Sequence, residues 1–267
     1  MNTLKEFEVS IISVTYNSKN VLKKFLKEVK KINNAEIIVV DNNSFDGTKE
    51  ILKKEKKIKK IFLKKNVGFS KANNIGFKFS RGKTILFLNP DSFPLKFEID
   101  KLKELIKKYK IVAPLILKDD KIPENSIREF PSLKNFIFPF LWKKKIDYNK
   151  EQFVAQPMFS AIFIERETFE KLKGFDERFF IYFTDVEFME RARKEKIYAF
   201  FYPEITFYHK RGESSLKTKL ILSRKYLDWG RGASKYFLFY KNLFEKLIAV
   251  PFIWIFTIIR TILITIL

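Results

Sequence analysis

Apolar and polar positions in the N-terminal third of the chain follow a repeating order of strand, polar loop and amphipathic helix. Val9-Ser10-Ile11-Ile12-Ser13-Val14 is a short β-branched run that ends in Thr15-Tyr16-Asn17-Ser18. Val21, Leu22, Phe25, Leu26 and Val29 then recur on one helical face. Glu36 to Val40 repeats the theme and closes in Asp41-Asn42-Asn43-Ser44-Phe45-Asp46-Gly47-Thr48, before a Lys-rich helix from about Lys49 to Lys57. Ile61-Phe62-Leu63 leads to Asn66-Val67-Gly68-Phe69 and a helix through about Phe79; Thr84 to Leu88 leads to Asn89-Pro90-Asp91. Continuous apolar strands alternating with amphipathic helices predict an α/β unit with a parallel sheet covered on both faces. Each loop at a strand's carboxyl end is polar, and that is where open α/β sheets bind ligands.

The order breaks after roughly Leu117. Residues 118–152 hold Pro123, Pro131, Pro139 and the apolar run Phe136 to Trp142, which reads as a loop-rich insertion. A strand is expected at Phe159 to Ile164, a short helix to Lys173, a turn at Gly174-Phe175-Asp176, a helix from about Asp185 to Lys194 and a last strand at Tyr198 to Tyr202. From Leu216 the chain turns basic, aromatic and finally almost wholly apolar. Two units are therefore expected, residues 1–215 and a tail, 216–267.

Composition makes this a folding chain: 46% of its 267 residues are hydrophobic and 31 are Phe, far from the polar bias of disordered chains. The 53 Lys+Arg against 31 Asp+Glu leave +22, which must be solvated or face nucleic acid, lipid headgroups or sugar phosphates. Cysteine is absent, which excludes a disulfide framework, a zinc ribbon and a thiol nucleophile, and fits a reducing compartment. Met1 to Glu8 carries Lys5, Glu6 and Glu8 and shows no signal-peptide apolar region. The Lys run between Lys49 and Lys71 reads as a solvated face.

Each polar loop has a plain reading and a chemical one. Asp41, at a strand end, can accept hydrogen bonds from a ribose or a base, whereas Ser44 and Asp46 also suit helix capping. Gly68 and Asn73 fit tight packing as well as a pocket. Asp91, after a Pro-fixed turn, can present oxygen to a divalent cation that also holds a diphosphate. Asp185 begins a helix, where an N-cap is the ordinary reading. Neither G-x-G-x-x-G nor G-x-x-x-x-G-K-[ST] occurs, which disfavours a dinucleotide site and a P-loop.

Taken in order, Val9 to Asn17, Val39 to Thr48, Asn66 to Gly76 and Leu86 to Ser92 closely resemble the family 2 glycosyltransferases of GT-A fold, in particular their rhamnosyltransferase-like branch. Gly174 to Phe180 with Tyr182 to Glu187 and Arg191, and His209-Lys210-Arg211-Gly212-Glu213-Ser214-Ser215, resemble that branch's later motifs. The resemblance implies a Rossmann-like mixed sheet and a metal-dependent, inverting sugar transfer from a nucleotide-diphosphate sugar, rhamnose by analogy, to a lipid-linked or cell-envelope glycan. Thr15, Tyr16, Asn17, Asp41, Asp46, Gly68 and Asn73 would line the nucleotide pocket. Asp91 would hold Mg²⁺ or Mn²⁺, with His209 near the metal or diphosphate, and Asp185 would be the general base. Two positions depart from the wider pattern: Asn89 stands where an Asp is frequent, and Thr184 where Glu is usual.

The tail adds a membrane. Arg231, Lys235, Lys241 and Lys246 interleave with Tyr236, Phe237, Phe239, Tyr240 and Phe244, which suits an anionic headgroup surface. Leu247 to Leu267 is long enough to span a bilayer, but Arg260 and the Thr257, Thr261, Thr265 stripe favour a helix lying in the cytoplasmic leaflet. A spanning anchor is the second reading and a homodimer interface the third. Phe136 to Trp142, with Lys143-Lys144-Lys145, would be a further docking point, and the Lys and Phe surplus is assigned to the membrane rather than to nucleic acid. The competing functional readings are a sugar-nucleotidyltransferase, against which Thr15-Tyr16-Asn17 replaces the Gly-rich loop, and a non-enzymatic basic binding protein.

Overall fold

The structure, a computed structural model, describes residues 7–118, 122–137, 146–210 and 219–266. In chain order the strands of the main sheet are β1 (Val9–Thr15), β2 (Ala35–Asp41), β3 (Lys59–Phe62), β4 (Thr84–Leu88), β5 (Ser92–Lys96), β6 (Ile111–Leu117), β8 (Gln152–Val154), β10 (Ala161–Glu165) and β11 (Ala199–His209). A small ribbon pairs β7 (Ile127–Arg128) with β9 (Gln156–Pro157). The helices are α1 (Lys19–Val29), α2 (Thr48–Lys54), α3 (Phe69–Lys78), α4 (Ile99–Tyr109), α5 (Leu133–Ile137), α6 (Arg166–Lys171), α7 (Thr184–Lys194), α8 (Lys219–Tyr240) and α9 (Leu243–Ile266).

The sheet runs β3-β2-β1-β4-β10-β6-β11-β5, with β8 beside β11. Its β3-β2-β1-β4 half is parallel, as the strand-helix rhythm predicts. The other half is mixed: β10 enters antiparallel between β4 and β6, and β11 pairs parallel to β6 but antiparallel to β5. A wholly parallel sheet needs a crossover helix before each strand, and β10 instead follows the long excursion through β7 to β9. Residues 92–117, for which the hydrophobic pattern assigns no element, supply β5, α4 and β6.

Period-two alternation sorts the strand side chains. Ile11, Ile37, Val39, Leu86 and Leu88 face α1, α2 and α4, while Ile12, Ile38, Val40, Ile85 and Phe87 face α3, α6 and α7. The second layer is rich in Phe: Phe169 lies 4.7 Å from Phe77, 4.9 Å from Phe87 and 5.0 Å from Phe175, and Phe175 is 5.3 Å from Phe188. Much of the Phe surplus therefore fills the core and not a membrane-facing surface, because large rings fill the wide space between a twisted sheet and three helices.

A third cluster joins α8 and α9 to the domain through Phe179, Val186, Ala233, Tyr236, Phe237, Ala249 and Ile253. The tail is thus packed against α7. The expected boundary near residue 215, the His209-to-Ser215 motif beyond Lys210, and residues 138–145 of the Phe136 to Lys145 stretch lie outside the described residues.

Candidate active site

The first wall is built where β1 and β2 end side by side. Their register places Thr15 opposite Asp41, and the buried Asp41 carboxylate accepts from Thr15 Oγ1 at 3.3 Å and from the Ser44 N–H at 3.0 Å. Asn17 adopts a left-handed conformation, φ 53°. There its N–H donates to Ser44 Oγ and its side-chain oxygen accepts from the Phe45 N–H, both at 2.9 Å. The two loops are thereby laced together. At their tips Tyr16 and Phe45 stay exposed, ring edge to ring face at 6.2 Å.

Asp46 is spent on structure. Its Oδ2 accepts from the Lys19 N–H (2.9 Å), and its Oδ1 from the Thr48 N–H (3.0 Å) and Oγ1 (2.6 Å), so one carboxylate caps the starts of α1 and α2. Burial alone would raise this carboxyl, but the hydrogen bonds from Thr48 and Lys19 outweigh it and hold it below the usual range. This is the helix-capping alternative of the sequence reading.

Gly68 and Asn73 belong to a second lacing. Asn42 donates to Asn66 Oδ1 (2.8 Å) and to the Gly68 carbonyl (3.2 Å), and accepts from the Val67 N–H (2.8 Å). Gly68 has φ +87°, and a Cβ there would stand 2.5 Å from the Phe180 carbonyl oxygen. Glycine is thus required both by conformation and by the close approach of the Phe179-Phe180 segment. Asn73 is buried and donates to the Phe69 carbonyl at 3.0 Å.

Asp91 and His209 meet because β5 pairs antiparallel with the end of β11, with His209 opposite Ser92. His209 Nε2 lies 3.5 Å from Asp91 Oδ1, and its Nδ1 lies 2.7 Å from Glu124 Oε2. All three side chains are buried. Burial alone would lower the imidazole pKa, but Asp91 and Glu124 on its two sides outweigh that and raise it to about 9. Among the described residues, Asp91 Oδ1 and the neighbouring Ser92 and Ser160 hydroxyls are buried without a hydrogen-bond partner. Such oxygens are costly unless something else satisfies them.

Asp185 stands in the first turn of α7, partly open to solvent. Its Oδ1 accepts from the Val186 N–H (2.9 Å) and its Oδ2 from Gln156 Nε2 (3.0 Å). Desolvation dominates here and raises its pKa, against the helix-start N–H, the charge of Arg128 and Gln156. Thr184, in the departing position, is buried and bonds Ser70 Oγ at 2.8 Å, so it joins α7 to α3. Arg191 is structural too: it grips Glu187 with two nitrogens (2.6 and 2.8 Å) and the Gly174 carbonyl (2.8 Å).

Glu124 and Gln156 are absent from the sequence reading. Both come from the stretch around the expected insertion: Glu124 reaches His209, and four residues on Arg128 pairs with Gln156, which holds Asp185. One short segment therefore touches both the Asp91-His209 group and the Asp185 group. Residue type alone could have offered Glu124 as a candidate, but nothing in its spacing did.

A mixed sheet with its polar loops collected at the carboxyl ends of β1, β2 and β4 places the chain in the GT-A class of folds. Within that class the chain belongs to Glycosyl transferase family 2, whose profile matches residues 10–173. It is similar to the low-salt glycan biosynthesis hexosyltransferase Agl10 of Haloferax volcanii, 30% identical over 199 residues that cover 71% of this chain and 63% of that protein. It is also similar to the dTDP-rhamnosyl transferase RfbF of Shigella flexneri, 29% identical over 221 residues that cover 77% and 70%. The chain thus spans under two thirds of the first relative's length. In fold it resembles residues 1–349 of S. aureus TarS in complex with UDP-GlcNAc, with a TM-score of 0.57 at 17% identity, covering 87% of this chain and 73% of that one.

Proposed function

We propose that the chain moves a sugar from a nucleotide-diphosphate donor to a lipid-linked or cell-envelope glycan hydroxyl, with inversion, at the cytoplasmic face of the cell membrane. The observation that carries this reading is that one short segment, Glu124 to Arg128, connects two unlike groups. On one side are a buried carboxylate with an orphaned oxygen and an imidazole; on the other is a carboxylate made more basic by desolvation. The names of the relatives, a hexosyltransferase and a dTDP-rhamnosyl transferase, support it.

In this reading Thr15, Asn17 and Asp41 shape the pocket, and Tyr16 and Phe45 offer ring faces at its mouth. Asp91 and His209 fit a divalent cation. Among the described residues no group of three or more His, Cys, Asp or Glu could enclose one. A single carboxylate completed by phosphate oxygens and water is a setting that Mg²⁺ ordinarily takes. Glu124, on Nδ1, would fix the ring with Nε2 toward the ion, the usual carboxylate-histidine arrangement. The ion, held by Asp91 and His209, would supply Lewis-acid stabilisation of the departing diphosphate.

Asp185 accepts the acceptor's hydroxyl proton as the new C–O bond forms at the anomeric carbon and the bond to the donor diphosphate breaks. A carboxylate so placed contributes on the order of 10²–10⁴-fold. Gln156 and the Val186 N–H aim it. Asp46 lines the wall only as a clasp.

The test is a thermal-shift screen of UDP-, GDP- and dTDP-sugars with and without Mn²⁺, followed by two variants. Asp185→Asn should abolish transfer and leave donor binding nearly intact; loss of both would remove Asp185 as base. Asp91→Ala should weaken the Mn²⁺-dependent part of donor binding, and an unchanged metal titration would take Asp91 out of the site.

A further inference from the structure

We propose that α8 and α9 form a hairpin that docks in the plane of an anionic membrane, α9 sinking its outer face into the headgroup boundary and neither helix crossing. The inner face of α9 is already used. Ala249, Ile253 and Thr257, four residues apart, are fully buried, and the approach to α8 is so close that a Cβ on Gly230 would stand 2.5 Å from Thr257 Oγ1. The outer face carries Leu247, Phe252, Ile255, Ile259, Ile262 and Leu263, exposed by 67%, 46%, 57%, 51%, 48% and 45%. A contiguous apolar face of this kind marks a surface built to be covered.

Charge identifies the cover. Along the hairpin sequence, Lys219, Arg224, Lys225, Arg231, Lys235, Lys241, Lys246 and Arg260 stand against only Asp228 and Glu245 in charge count, in a chain already at +22. A second copy would bring the same excess against itself, whereas an anionic lipid surface attracts each such cation. Arg260 lies over the Phe256 ring at 5.3 Å, the posture of a side chain that covers apolar surface while its charge stays wet.

Crossing is disfavoured by how α9 is held. It runs back along α8, Trp229 meets Phe256 at 5.8 Å, and its first turn is tied to α5 through Glu245 and the Leu133 N–H (3.4 Å). To span a bilayer α9 would have to leave α8 and expose Tyr236 and Phe237, or drag the α8 charges into the hydrocarbon, where charged side chains are costly. The same hairpin seats the helix of the proposed base. Phe183, left-handed at φ 67°, caps α7 two residues before Asp185 and is wedged against Trp229 (6.1 Å) and Tyr236 (5.8 Å). Docking therefore presents the site at a fixed attitude to the membrane, which deepens the lipid-linked acceptor reading on which it rests.

Because the chain has no cysteine, Asn242→Cys and Thr265→Cys each provide a single label site in the full protein. Both variants are mixed with vesicles of phosphatidylglycerol and phosphatidylcholine, floated, and treated with a membrane-impermeant maleimide. The expected result is flotation at least tenfold greater with phosphatidylglycerol than with phosphatidylcholine alone, equal external labelling at both sites, and loss of flotation in Ile255→Glu/Ile259→Glu. Labelling at residue 265 only after vesicle lysis would show crossing and overturn the proposal; so would absence of flotation, with a dimer by sedimentation naming a second copy as the occupant. Donor thermal shifts measured without vesicles report on the transferase reading separately, so either can fail alone.

Discussion

Gln156 shows how much of the site hangs on one side chain. It is buried, and its amide holds Asp185 Oδ2 at 3.0 Å. That bond favours the ionised carboxylate, so its removal leaves desolvation less opposed and raises the Asp185 pKa further. Gln156→Leu should therefore move the acid limb of the kcat/KM profile to higher pH while the donor's KM changes little; a uniform loss at every pH would mean that Gln156 only supports the fold. Glu124 plays the matching part for His209. Glu124→Ala should reduce the thermal stabilisation by donor plus Mn²⁺ and leave that by donor alone, as measured by paired melts. Asp185 and Asp91 were legible as candidates because each closes a compact motif. Their partners were not, since Gln156 and Glu124 reach them only through the β7–β9 ribbon and the end of β11.

Among the elements, α3 and α7 carry the most constraint. The turn before α3 passes so close to Phe180 that Gly68 has no substitute: Gly68→Ala combines a left-handed φ with a 2.5 Å clash against backbone. It should cost at least about 1–3 kcal/mol, read from the urea midpoint. Across the molecule, α7 is pinned by Arg191 on one side and by Tyr240, whose hydroxyl donates to the buried Glu187 at 2.6 Å, on the other. Tyr240→Phe should destabilise by roughly 1–3 kcal/mol in the same assay. The elements with clean periodicity, β1, α1, β2, β4 and α7, were readable to within a residue or two. β5, the short β7 to β9 strands and the antiparallel sense of β10 were not, because strand direction and edge pairing leave no mark on hydrophobic spacing.

For the whole molecule, the tail is packed on the sheet domain: Phe179 and Val186 share one buried cluster with Tyr236 and Phe237 of α8. A chain ended at residue 215 should melt at a lower temperature than the full protein and bind a hydrophobic dye in the native state, because the face of α7 would be uncovered. Equal melting temperatures would show that residues 1–215 draw no stability from the hairpin.

Local patterning by itself determined the α/β class, the position of the polar loops at strand ends, the absence of thiol chemistry and the acids offered as candidates, since periodicity, composition and short motifs are properties of neighbouring residues. The tertiary structure alone decided which acid is a clasp (Asp46) and which is buried against an imidazole with one oxygen unbonded (Asp91). It also decided that much of the Phe surplus is core, that Glu124 contacts His209 and Gln156 contacts Asp185, and that the apolar helix has a buried face and an exposed one. Each of these depends on contacts between residues far apart in the chain, which only the packed sheet and the hairpin laid against it bring within bonding distance.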